Sequence, residues 1–150
     1  MKTVWDERYA TEEYLFGRKP NGFLLSQKAL FRPGMKVLSV ADGEGRNSVW
    51  LAGLGAEVVA MDNSSVGIEK ARKLADEAGV SVSLVQCDIA EWAWEPDAFD
   101  AVVAIFFQFA PPPLRATIFD GMKKTVRPAG PIVLQGYGKG QIAYGTGGPK

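Results

Sequence analysis

The chain has 150 residues, of which 47% are apolar and 23% charged, with 17 basic and 17 acidic side chains and a net charge of zero. One domain with a proper core is expected of that length, and the charge balance makes no electrostatic case for nucleic acid or an anionic membrane surface as a partner. There is no histidine and a single cysteine, Cys87, which removes Ser-His and Cys-His nucleophilic machinery, argues against a zinc site and excludes an internal disulfide.

The N-terminus, MKTVWDERYATEE, lacks the apolar core of a signal peptide. The most apolar segment, residues 101–107, is far shorter than the ~20 residues of a membrane span, so the sequence reads as that of a cytosolic protein. Within residues 1–32, Trp5, Tyr9, Tyr14 and Phe16 alternate with charged residues, which predicts a cap of one or two short helices with an aromatic face. Those aromatics either pack on a sheet edge or form a lid that keeps water from a site. Asn21 is a candidate N-cap for a helix over 23–31, which Pro33 and Gly34 end.

Residues 37–40 read as a buried strand, followed by a turn through Asp42, Gly43, Glu44 and Gly45. A helix carrying Val49, Trp50, Leu51 and Leu54 comes next, with Gly55 closing it at C′. Glycines between strand and helix allow positive φ and close approach of a ligand to the main chain. The helix start behind them offers unpaired amides and the positive end of the dipole, which suits a nucleotide-like or zwitterionic ligand. Packing alone is the plainer use of such a turn. The next strand, residues 57–61, stops at Asp62, which lies 19 residues after Gly43. Nucleotide-binding βαβ units place an acid against the ribose at about that interval.

Ser64 or Ser65 then caps a helix with Ile68, Ala71, Leu74 and Ala78 on one face and Glu69 and Lys73 as an exposed pair, stopped by Gly79. Residues 80–86 alternate as a strand that leads to a third acid, Asp88. Trp92 and Trp94 lie in a polar loop that covers an edge of the core. Residues 99–106 form the apolar run of a central parallel strand. Pro111, Pro112 and Pro113 start a helix with Leu114, Ile118 and Met122, weakened at Gly121 by about 1 kcal/mol relative to alanine. A fifth strand begins at Ile132, and residues 138–150 form a glycine-rich tail expected to be flexible or held by a partner. This alternation predicts an α/β fold: a Rossmann-like, doubly wound parallel sheet with helices on both faces. Asp42, Asp62, Asp88 and the residues after Ala104 then meet at the carboxyl ends of the strands, where such sheets bind ligands.

VLSVADGEGRN, VVAMDNS, VQCDIAEW, FDAVVAIFFQF and VRPAGPIVLQGY, in that order, resemble the motifs of class I S-adenosylmethionine-dependent methyltransferases. With WDERYATEEYLFGRKPNGFL ahead of them, the chain most resembles small bacterial members related to tellurite-resistance and thiopurine methyltransferases, over most of residues 5–137. The resemblance implies sheet order 3-2-1-4-5, S-adenosyl-L-methionine as cofactor and a small-molecule methyl acceptor. It implies a cofactor site formed by Ala41, Asp42, Gly43, Glu44, Arg46, Asn47, Asp62, Asn63, Asp88, Ile89, Ile105 and Phe106. The backbone around Ala41, Asp42 and Gly43 would lie against the amino-acid part. Asp62 would hold the ribose hydroxyls, Asp88 the adenine amino group and Ile89 the ring, while Ile105 and Phe106 would border the methionine moiety.

Three departures stand out. The usual strand acid is Ser39, the usual first glycine is Ala41, for which a negative φ is expected, and the group's two further strands beyond the fifth are absent from this sequence. The last point predicts an exposed apolar edge on the fifth strand, arising either from a fragment or from pairing with a second copy as a homodimer.

Methyl transfer from a sulfonium is an in-line displacement that needs near-attack geometry in a dry site and no general base when the acceptor is already anionic. No catalytic residue is assigned. Tyr9, Tyr14, Tyr137 and Asp42 are candidate helpers, with Tyr14 and Tyr137 better suited to packing or lining. Arg46 either orients the cofactor carboxylate or is solvated, and Cys87 reads as a small buried hydrophobe. Two rival functions are a non-catalytic methyltransferase-like binding or assembly module and an NAD-dependent oxidoreductase. The latter's fingerprint wants glycine where Ser48 stands.

Overall fold

A computed structural model describes residues 2–106 and 110–136. Tyr137 and the glycine-rich tail lie outside the described residues. Five parallel strands, β1 (Lys36–Val40), β2 (Glu57–Asp62), β3 (Ser83–Gln86), β4 (Ala101–Ile105) and β5 (Ile132–Gln135), form one sheet in the order β3-β2-β1-β4-β5. The helices are α1 (Val4–Tyr9), α2 (Gly22–Ser26), α3 (Arg46–Gly53), α4 (Ser65–Ala78) and α5 (Pro112–Thr125), with 3-10 turns at Lys28–Leu30 and Ile89–Glu91.

Side chains alternate across the central strands, so each strand feeds two cores. Val37, Ala101, Val103, Ile105 and Val133 pack with Leu24 and Leu51 on one face, while Leu38, Val40, Val102 and Ala104 pack with Ile118 and Met122 of α5 on the other. All five residues of β4 are buried, as a central parallel strand requires. The switch between crossovers falls between β1 and β4, the point at whose carboxyl ends sheets of this kind take their ligands.

Local chemistry explains most of the element ends. Asn21 caps α2 by accepting from the Leu24 amide at 3.0 Å, Ser64 caps α4 by accepting from the Gly67 amide at 3.0 Å, and Gly55 follows α3 with φ +90°. The expected helix over 23–31 is shorter. It leaves α-geometry after Ser26 and finishes as a 3-10 turn, because Leu24 and Phe31 enter the core while Phe23, Leu25 and Leu30 stay exposed. The strand expected over 80–86 begins only at Ser83. On α4, Ala75 rather than Ala78 completes the buried face, and Glu69 pairs with Arg72 at 3.4 Å instead of Lys73.

Gly121 has a reason beyond helix propensity. A Cβ there would come within 2.4 Å of the Trp94 ring, which packs on that helix face. Among the described residues β5 borders β4 alone, and on it Leu134 is exposed. Among the described residues no helix is long and apolar enough to cross a membrane.

Candidate functional site

The loop between β1 and α3 is built around the carboxylate of Asp42. Its Oδ1 accepts from Ser39 Oγ at 2.7 Å and the Ser48 amide at 3.2 Å, and its Oδ2 accepts from Ser48 Oγ at 2.5 Å. Strand and helix are thus tied through one buried acid. Burial pushes its carboxyl up to about 6, the charge of Asp62 adds to the rise, and the serine hydrogen bonds oppose it. This side chain is turned into the protein, so it is no base for an acceptor. The preceding residue overturns one expectation: Ala41 takes φ +51° rather than a negative value. Asp42 is fixed just after it, its side chain bonded to Ser39 and Ser48 and its amide donating to Met61 O at 3.1 Å, and this holds Ala41 in that left-handed conformation.

Asp62, at the end of β2, is the second fixed point. One of its oxygens accepts from the Gly43 amide at 2.9 Å and the other from the Ser64 amide at 2.9 Å. Burial raises its pKa, against the pull of those amides, and the charge of Asp6 adds to the rise. A carboxylate has about four lone-pair sites, so two backbone bonds leave acceptor capacity for a hydroxyl-bearing ligand.

The loop glycines turn out to serve packing directly. A Cβ on Gly43 would stand 2.8 Å from the Tyr9 hydroxyl, and one on Gly45 would stand 2.6 Å from Ala71 Cβ. Tyr9 is almost wholly buried, its ring also touching Gly67, so α1 docks on the loop and on α4 rather than on a sheet edge. Asp6 secures the same contact. It accepts from Ser64 Oγ at 2.7 Å and the Val66 amide at 3.2 Å, and the Ser64 hydroxyl, with the Thr3 amide next, holds its carboxyl below the usual range.

Two residues expected to face the cofactor use their side chains otherwise. Glu44 forms a buried ion pair with Lys70 and accepts from the Leu15 amide at 2.7 Å. Lys70 in turn donates to Tyr9 O and Glu13 O, and its own carbonyl accepts from Tyr14 Oη at 3.0 Å. Asn47 Oδ1 accepts from the Asn21 amide at 2.9 Å. What Glu44 and Asn47 still offer is main chain: among the described residues their amides have no acceptor, as befits the start of a helix. Arg46 lies over the Phe16 ring, 5.8 Å from its centroid.

The remaining expected residues divide. Asp88 is exposed and caps the 3-10 turn by accepting from the Ala90 amide at 2.9 Å; it sits beyond β3 at the same sheet edge as Asp62. Asn63 is exposed, its carbonyl accepting from Gln86 Nε2 at 3.4 Å. Ile89 and Ile105 are buried in the two cores, and Phe106 follows with φ +56°, a bulky residue in a strained conformation at the end of β4. Cys87 is half-buried, donates to Asp88 O at 3.2 Å, and burial raises its pKa. Sequence reasoning missed the roles of Ser48 and Lys70, and for Ser64 it gave the helix cap but not the bond to Asp6 of the N-terminal cap. An open hollow of about 580 Å³ lies between Tyr9, Thr11, Glu12 and the α4 residues Val66, Lys70 and Lys73, with no strand residue in its lining.

A doubly wound parallel sheet with a glycine loop after β1, an acid ending β2 and a further acid beyond β3 is the frame of a nucleotide-type cofactor domain. The family model described as a methyltransferase domain matches residues 37–130, and the chain belongs to that family. It is 31% identical over 114 residues to a Mycobacterium tuberculosis protein, covering 75% of this chain and 41% of that one. It is 30% identical over 126 residues to a ubiquinone biosynthesis O-methyltransferase of Actinobacillus pleuropneumoniae, covering 80% of this chain and 53% of that one. Among solved structures, a Pyrococcus horikoshii protein superimposes with TM-score 0.68 at 29% identity, covering 75% of this chain and 53% of that one. A TehB-like SAM-dependent methyltransferase from Corynebacterium glutamicum superimposes with TM-score 0.67 at 20% identity, covering 82% and 68%, a likeness of fold. The chain spans 41% to 53% of the length of these two curated relatives.

Proposed function

We propose that this chain binds S-adenosyl-L-methionine at the carboxyl edge of its sheet and takes part in methyl transfer to a small molecule. The observation that carries the reading is the pairing of the Gly43 amide with the Asp62 carboxylate at 2.9 Å. It couples the loop after β1 to the acid ending β2 within a chain of the methyltransferase domain family.

The donor set fits the cofactor. The free amides of Glu44 and Asn47 match a carboxylate at a helix start, and the spare lone pairs of Asp62 match vicinal hydroxyls. Exposed Asp88 is available to an amino group. Ala41, Asp42 and Gly43 contribute backbone, with Arg46, Asn63, Ile89, Ile105 and Phe106 at the border. The cofactor supplies a methyl group already activated on a sulfonium. The chain's part is to bind, orient and exclude water, and the cap latched over Glu44 by Lys70 and Leu15 serves the last of these.

The narrower kinship with the small tellurite-resistance and thiopurine group rests on the N-terminal segment and belongs to this proposal. So does pairing of two copies along the free edge of β5, supported by exposed Leu134. A monomer in sedimentation at high concentration would remove that pairing.

Calorimetric titration with S-adenosylmethionine, S-adenosylhomocysteine and NADH tests the main reading. Binding of the first two but not NADH, lost in Asp62→Ala, supports it. Binding of NADH alone supports the oxidoreductase, and binding of none leaves an assembly module.

A further inference from the structure

We propose that Asp42 is a positioning residue whose negative charge sets how tightly the glycine loop takes a cationic ligand. The inference rests on the cofactor reading above and concerns the same site.

Three hydrogen bonds hold the carboxylate from both sides of the loop: Ser39 in β1, and the hydroxyl and amide of Ser48 in the first turn of α3. No basic side chain among the described residues forms an ion pair with it. Asp62, on the other side of Gly43, is likewise held by amides rather than by a cation. The Gly43 segment therefore lies between two buried carboxylates, and the charge of Asp62 adds to the proton affinity that burial gives Asp42.

The Ser48 hydroxyl makes the charge on Asp42 switchable without disrupting the loop. It lies 2.5 Å from Asp42 Oδ2 and 3.3 Å from Gly45 O. With Asp42 ionised, Ser48 donates to the carboxylate. With Asp42 protonated, the acid donates to Ser48 Oγ and the serine hydrogen turns to Gly45 O. Both states keep their hydrogen bonds, so the change is mainly one of charge. The groups facing Asp42 are Asp62 from β2 and the Tyr9 phenol from α1, whose pKa burial and then the charges of Asp62 and Glu44 raise, against the pull of Arg8. Glu44 is already paired with Lys70, and the charge that acts on Asp42 itself is the negative one of Asp62.

A carboxyl pushed by burial to about 6 changes charge in mild acid. A sulfonium ligand bound nearby favours the ionised form, and by linkage ionised Asp42 favours the ligand by the same factor. S-adenosylhomocysteine, whose sulfur is neutral, shares less of this coupling.

The test is calorimetry of the full chain with S-adenosylmethionine and S-adenosylhomocysteine from about pH 8 to about pH 5, in two buffers of different ionisation enthalpy. We expect affinity for the sulfonium to fall about tenfold across that range, a clearly smaller fall for the thioether, and proton release on binding near the inflection. Ser48→Ala, which removes a hydrogen bond favouring the charged form, moves the inflection upward. Asp42→Asn binds at about pH 8 as weakly as the parent at about pH 5, with a flat profile. Should Asp42→Asn not fold, the parent and Ser48→Ala profiles decide. Binding that ignores pH, equal falls for both ligands, or an unmoved inflection in Ser48→Ala overturns the role of Asp42. Absence of binding at every pH overturns the cofactor reading itself.

Discussion

The Tyr9 hydroxyl lies 2.8 Å from the place a side chain on Gly43 would begin, so the first helix of the chain closes directly on the loop after β1. Gly43 also has φ +65°. Gly43→Ala therefore meets a left-handed backbone penalty of ~1 kcal/mol and a clash with a ring fixed on its other side by Gly67. Urea unfolding is expected to show a loss of about 3 kcal/mol in total. Tyr9→Leu in the same chain should recover the clash but not the backbone part. Full tolerance of Gly43→Ala would mean that α1 is not seated as described.

Lys70 is the latch of the cap, since its ammonium meets buried Glu44 and two carbonyls of the N-terminal segment. Lys70→Met removes the cation and leaves Glu44 charged in a nearly closed site. Breaking a buried pair in this way costs about 3 kcal/mol. The loss should fall on the cap first, so trypsin is expected to cleave after exposed Arg18 much faster than in the parent. Unchanged cleavage would show that Asp6 and Tyr9 hold the segment without Lys70.

The sheet was legible because its strands are short apolar runs closed by acids or glycines, and such runs leave few alternatives to a parallel sheet. Asp62 was legible for the same reason. The roles of Glu44 and Asn47 were not: their partners, Leu15 and Asn21, lie 29 and 26 residues away along the chain, and nothing in the local pattern announces them. Ala41 was misread because residue type alone argues for negative φ, whereas the hydrogen bonds that fix Asp42 next to it go with φ +51°. The short α2 shows the same limit, since periodic apolar residues mark a helix only where the fold buries them.

Gly121 shows how a helix-weakening residue can be required. Alanine would gain ~1 kcal/mol of helix propensity, yet its Cβ would come within 2.4 to 2.5 Å of three atoms of the Trp94 ring. Overpacking of this kind costs ~1–3 kcal/mol, so Gly121→Ala is expected to be net destabilising by about 1 kcal/mol in urea unfolding and to shift the Trp94 emission. Trp94→Ala should reverse the sign and make Gly121→Ala stabilising. If Gly121→Ala stabilises the parent, the tryptophan is not packed there.

Acid should first strengthen and then weaken this fold. Asp42 has its folded pKa raised to about 6 by burial, above the ~3.9 of an unfolded chain. A raised carboxyl contributes stability that is complete below the unfolded value and lost as pH rises through the folded one. The span between the two values is worth about 3 kcal/mol, and Asp62 is shifted in the same direction. Asp6 is shifted the other way by Ser64 and Thr3, so its contribution is present above the unfolded value and lost as pH falls further. Urea midpoints are thus expected to rise from about pH 7.5 to about pH 5 and to fall below about pH 4, with Asp42→Asn abolishing most of the rise. Stability and affinity for a cationic ligand then move in opposite directions between about pH 7 and pH 5, as one buried acid serving both demands. A midpoint that is flat over that interval would mean Asp42 keeps its charge, or its proton, throughout.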